Sequence, residues 1–155
     1  MPRSQNLSNL KTEKEGILIL KEIIPQFFVP TKSQQQKLYS LCQIPYTQFS
    51  RSIDGIILKC DSFEAIRSES DFLFVEIKTT KSKSVTELPF GVFFGITENE
   101  EELFKSTKNY RLCIVHTGLK THCLLEFQDY QKLIQNKRVQ FQVNFKSKSE
   151  SHSES

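Results

Sequence analysis

The sequence predicts an α/β fold, with α+β as the variant: a central mixed β-sheet flanked by helices. Three observations predict it. Two apolar, β-rich runs, 53–60 and 72–78, lie mid-chain with acids embedded in them, as expected for strands buried on both faces. A helix-phased segment precedes them, and a strongly capped helix follows. Beyond that helix, further β-rich runs are separated by a turn.

The elements follow in order. Residues 13–24 read as a helix, with Ile17, Leu20 and Ile24 on one face and Pro25 as its stop. Residues 31–41, behind Pro30, read as a shorter helix. After the two central runs, 90–96 has strand composition, and Gly91 and Gly95 suggest a bend or bulge. Thr97 with Glu100 forms a capping box. Glu98, Glu101 and Glu102 load the first turn, and Lys105 and Lys108 fall at the far end, so a helix is expected over 98–107. Residues 110–116 read as a strand, 117–120 as a turn and 122–127 as the return. A final helix over 128–135 and a last strand over 139–145 complete the pattern.

At 155 residues the chain is one domain in length. Polar ends at 1–12 and 146–155 are expected to be flexible and disordered, bracketing a single domain at 13–145. There are 13 Phe and no Trp, so phenylalanine must supply much of the bulky core. No run approaches the ~20 apolar residues needed to span a bilayer, and the first residues are polar with no apolar run behind them. No membrane partner and a cytoplasmic location are the expectations. The four cysteines, Cys42, Cys60, Cys113 and Cys123, are scattered without a CxxC, which reads as free buried thiols. A net charge of +3 biases the chain only mildly toward anionic partners.

Asp54, Glu76 and Lys78 carry the chemistry. Residues two apart on a strand share a face, so Glu76 and Lys78 project together while Ile77 points to the core. If the two runs pair, Asp54 reaches the same spot. Adjacent carboxylates repel, and so favour a hard divalent cation such as Mg²⁺. A lysine beside them stabilises charge that builds on a phosphoryl group.

The segment Ser52-Ile53-Asp54-Gly55, followed by Val75-Glu76-Ile77-Lys78-Thr79-Thr80, resembles the PD-(D/E)xK superfamily of restriction-endonuclease-like nucleases. Downstream, Phe94-Gly95-Ile96-Thr97-Glu98-Asn99-Glu100 and Tyr110-Arg111-Leu112-Cys113-Ile114-Val115 are similar to the uncharacterised domain at the C-terminus of the plant NO VEIN protein, which also occurs in restriction-associated bacterial proteins. The likeness covers residues 50–116, with Ile53 standing where many members have proline. It implies a restriction-endonuclease-like core and a Mg²⁺- or Mn²⁺-dependent endonuclease acting on DNA. Asp54 and Glu76 would be metal ligands together with the Ile77 carbonyl, and Lys78 the catalytic lysine. The first helix of such folds often offers a further acid, and helical phase selects Glu13. Arg51, Thr79, Lys81 and Lys83 would form a phosphate-gripping rim.

Each feature also has a plainer account. Glu76 and Lys78 make an ordinary pair if that strand face is open to solvent. Asp54-Gly55 is also a turn dipeptide, and the lysines after the motif also suit a solvated loop. Cys113-x-x-His116 with His122-Cys123 fits no common zinc spacing. The rival to an enzyme is a binding or scaffold module that keeps the nuclease-like fold without cleavage. So small a chain has little room for a separate sequence-reading domain, so selective action on DNA would call for a homodimer or a partner subunit.

Overall fold

The computed structural model describes residues 2–148, with side chains from residue 11 onward. A five-stranded mixed sheet lies at its centre, in the order β1-β2-β3-β4-β5. The strands are β1 (Phe27–Phe28), β2 (Gly55–Leu58), β3 (Phe72–Thr80), β4 (Tyr110–His116) and β5 (Thr121–Leu125). The helices are α1 (Pro2–Ile23), α2 (Lys32–Leu41), α3 (Tyr46–Phe49), α4 (Glu98–Ser106) and α5 (Phe127–Leu133). Only β3 and β4 pair in parallel, and α4 lies in the crossover between them; the other ladders are antiparallel.

Period-two alternation along β3 divides the core in two. Leu73, Val75 and Ile77 face α1 and pack with Ile19, Leu20, Phe27, Cys113 and Val115. Phe72 and Phe74 face the other way, among Leu38 and Tyr39 of α2, Phe49 of α3, Leu103 and Phe104 of α4 and Tyr130 of α5. Helices therefore cover both faces of β3, which is why its residues read as a nearly continuous apolar run. Phenylalanine does supply bulk here: Phe72 and Phe74 meet edge to face with centroids 4.8 Å apart, and Phe104 and Phe127 do the same at 5.2 Å.

Most predicted elements sit where the sequence puts them. Thr31 and Thr97 both form complete capping boxes, with Gln34 and Glu100 respectively. Helix α1 begins at Pro2 rather than at residue 13. Two predicted strands are absent. Residues 90–96 form no ladder; Gly91 takes φ +79° and Phe93 is exposed. Val92, Phe94 and Ile96 still pack against the core. Their alternation reflects a loop laid along the core, because both edges of β3 already carry β2 and β4. Residues 139–145 pair with no strand among the described residues and stand in solvent. All four cysteines are free, but only Cys113 is buried, and Cys42, Cys60 and Cys123 are half-buried rather than buried as expected. Among the described residues no helix is long and apolar enough to cross a membrane.

Candidate functional site

The site forms where β2 parts from β3. The ladder ends at Gly55 opposite Val75, with the Asp54 N–H donating to the Val75 carbonyl at 2.8 Å. Beyond that point β2 no longer reaches β3, and the Ile77 N–H on this side lacks a strand partner. The Asp54 carboxylate takes its place, with Oδ2 accepting from Ile77 N at 2.7 Å. Upstream, the Tyr110 hydroxyl donates to the Ser52 carbonyl at 2.6 Å, which fixes the chain entering Asp54.

Glu76 and Lys78 follow on the β3 face shared with Phe74, and Glu76 is only 3% exposed. The crossover places the start of α4 at the end of β3. There Glu100, the third residue of α4, accepts from the Thr97 N–H at 2.9 Å and from the Lys78 ammonium at 3.0 Å. On the other face, α1 crosses β3 closely. A Cβ added at Gly16 would lie 2.9 Å from Thr79 Cγ2 and 3.0 Å from Ile77 Cγ2, so glycine permits the approach. That crossing brings Glu13, one turn earlier, near enough to Asp54 for Asp54 to raise its affinity for a proton.

Four carboxylates and one ammonium thus share one place. Asp54 and Glu100 lie near enough to Glu76 to raise its affinity for a proton. The Glu76 Oε2 is buried with no donor facing it. Its carboxylate neighbours can only accept unless one of the group carries a proton. Burial, then the contacts with Asp54 and Glu100, hold the Glu76 carboxyl protonated far above the usual range. Glu13 is pushed up to about 7, by its hydrogen bond with Asp54 and then by burial. Burial works to raise Glu100 too, but the hydrogen bond from Glu76, the Lys78 charge and the Thr97 N–H outweigh it and hold Glu100 low.

The structure therefore gathers Glu13, Asp54, Glu76 and Lys78, as the sequence suggested. It adds Glu100, which sequence reasoning saw only as a helix cap. Ile77 contributes its N–H to Asp54 and its side chain to the core. Thr79 packs toward Gly16 and α1, on the face opposite Glu76 and Lys78. Arg51, Lys81 and Lys83 are exposed in the segments flanking β2 and β3.

Carboxylate oxygens are hard donors, and the orphaned Glu76 Oε2 suits a cation. Even so, among the described residues no three acidic, histidine or cysteine groups stand as a ready ligand set. The acids are turned toward one another, so holding a metal requires replacing shared protons with the ion. Among the described residues no zinc ligand set forms around His116. Its Nδ1 accepts from Leu119 N at 3.1 Å and its Nε2 faces the Ser82 carbonyl at 2.9 Å, while Cys113 lies in the core. No family model, curated protein or solved structure matches the chain.

Proposed function

We propose that this protein is a metal-dependent endonuclease that hydrolyses DNA phosphodiester bonds with Mg²⁺ or Mn²⁺, on a restriction-endonuclease-like core and in a restriction or defence setting in the cytoplasm. The observation that carries the reading is the convergence of Asp54, Glu76, Glu13 and Glu100 around Lys78 at the β2–β3 fork. A purely structural role would not gather four acids at the edge of a buried strand, because like charges there are costly.

Asp54 and Glu76 would hold the cation, with the Ile77 carbonyl as a third ligand and Glu13 as an additional acid. A bound divalent ion would polarise the phosphoryl oxygen and acidify a water. Lys78, held in place by Glu100, would offer its ammonium to the charge that builds on the phosphoryl group. Arg51, Lys81 and Lys83 are exposed cations suited to backbone phosphates. A scaffold module without cleavage is the second reading. The Lys78–Glu100 ion pair and the absence of a ready ligand set among the described residues favour it.

The test is supercoiled DNA with purified protein in Mg²⁺, in Mn²⁺ and in chelator, alongside calorimetric metal titration. The nuclease reading expects metal-dependent cleavage. Lys78→Ala should lower the rate by about 10²–10³ while keeping metal binding, because its charge acts mainly in the transition state. Neither metal binding nor cleavage, alone or with a partner subunit, would leave the scaffold reading standing.

A further inference from the structure

After α5 the chain carries Val139, Phe141, Val143 and Phe145 at every second position, separated by Gln140, Gln142 and Asn144. This is the period of a strand with one apolar face. Yet the four are 83%, 85%, 73% and 94% exposed, and the segment pairs with no strand among the described residues. A row of bulky side chains this open marks a surface built to be covered.

The same chain carries a matching receptor. Strand β5 ends the sheet, so among the described residues its outer edge has no strand partner. At five residues it is a longer template than β1, the other edge, which has two. Leu124, opposite Cys113 on the sheet face turned away from α5, is 37% exposed and offers an apolar contact beside that edge. The chain's own segment is directed elsewhere. Lys137 pairs with Glu101 at the start of α4, at 2.7 Å, which turns the chain back over α4 and away from β5.

We infer that residues 139–145 add as a sixth strand to the β5 edge of a second copy of this chain, and that the exchange is reciprocal, giving a two-fold dimer. The four phenylalanines of two such segments alone would cover roughly 800 Å². With the valines and the ladders added, the interface clears the ~1,000 Å² typical of a specific one. The segment also has cationic neighbours, Lys137 and Arg138, and no acid lies between Tyr130 and Lys148. Nucleic acid is the competing occupant. The strict two-residue period favours a sheet edge over it, because half of the apolar row is valine, which has no ring face on which a base could stack.

Sedimentation equilibrium of the full chain without DNA, from about 1 µM to about 1 mM, tests this. The expected result is a monomer–dimer equilibrium. Phe141→Asp with Val143→Asp, at exposed positions, should weaken it at least ~30-fold. Leu124→Asp should weaken it from the receiving side. Mixing the two variants should restore partial association, since one intact segment then meets one intact edge. Hydrogen exchange at Thr121–Leu125 should slow as concentration rises. A chain monomeric throughout, or a dimer indifferent to both variants, overturns the inference. A monomer whose segment variant loses DNA binding also overturns it and assigns the segment to nucleic acid.

Discussion

Replacing Glu76 by glutamine should make the protein more stable at neutral pH, and the size of the effect follows from linkage. Glu76 is buried beside the carboxylates of Asp54 and Glu100, and its folded-state affinity for a proton lies far above the ordinary value of 4.5. Between about pH 5.5 and 7.5 the unfolded chain has released this proton and the folded chain retains it. The folded state therefore binds one more proton, and unfolding free energy falls as pH rises, by about 1.4 kcal/mol per unit. That is roughly 2.7 kcal/mol across the window. Glutamine mimics the protonated acid and does not titrate, so Glu76→Gln should lose this slope. Glu13 titrates in the same direction up to about 7, but it is present in both proteins and Glu76 is not among the groups that set it, so it cancels in the difference. Glu100 and Glu101 are held low; their contribution is lost as pH falls through the acid range below this window. The assay is urea unfolding of both proteins in chelator at half-unit pH steps. Parallel curves, or wild-type stability rising toward pH 7.5, would refute the assignment of a retained proton to Glu76.

Three further changes test how the site is built. Gly16→Ala should cost about 1–3 kcal/mol despite alanine's better helix propensity, because α1 must lift from Thr79 and Ile77; Thr79→Ser, which removes the closer methyl, should recover part of the loss in thermal melts. Tyr110→Phe should cost about 1–3 kcal/mol in urea unfolding, because it leaves the buried Ser52 carbonyl without its donor. Thr97→Ala should cost about 1 kcal/mol by removing the hydroxyl cap of α4, and a stability loss below a few tenths would show that Lys78 and the backbone N–H of residue 97 suffice to hold Glu100.

Local chemistry was legible where it was dense. The Thr97–Glu100 box, the acidic first turn and Lys105 located α4 to within one residue of its end, since caps and dipole act within a few residues. Strand β4 was legible as a whole because an apolar run between a turn and a helix admits few alternatives. Residues 90–96 and 139–145 misled for opposite reasons. The first alternates because one side of a loop rests on the core. The second alternates as a strand would, but the Lys137–Glu101 pair directs it over α4 and away from the open β5 edge. Periodicity reports which side chains want burial, and not whether a neighbouring strand is free to provide it.

The candidate site divides along the same line. Asp54, Glu76 and Lys78 were legible because strand alternation puts two of them on one face and an acid in the neighbouring run supplies the third. Glu13 followed from the resemblance, which implies an acid on the first helix, with helical phase choosing among the candidates. Glu100 escaped because its capping role already accounted for it. The missing step was topological: in a parallel strand–helix–strand unit the helix begins at the end of the first strand, so the third residue of α4 had to meet Lys78. The same geometry sets what the site can do. Asp54 gives Oδ2 to the Ile77 N–H, and Glu13 and Glu76, whose proton affinities it raises, stay beside it at neutral pH by keeping protons. A divalent cation entering there exchanges for protons, so its affinity must rise with pH while the metal-free fold weakens. The nuclease and scaffold readings therefore separate most sharply at neutral and mildly alkaline pH. There a nuclease recovers stability by taking up metal, and a scaffold, with nothing to replace the proton, does not.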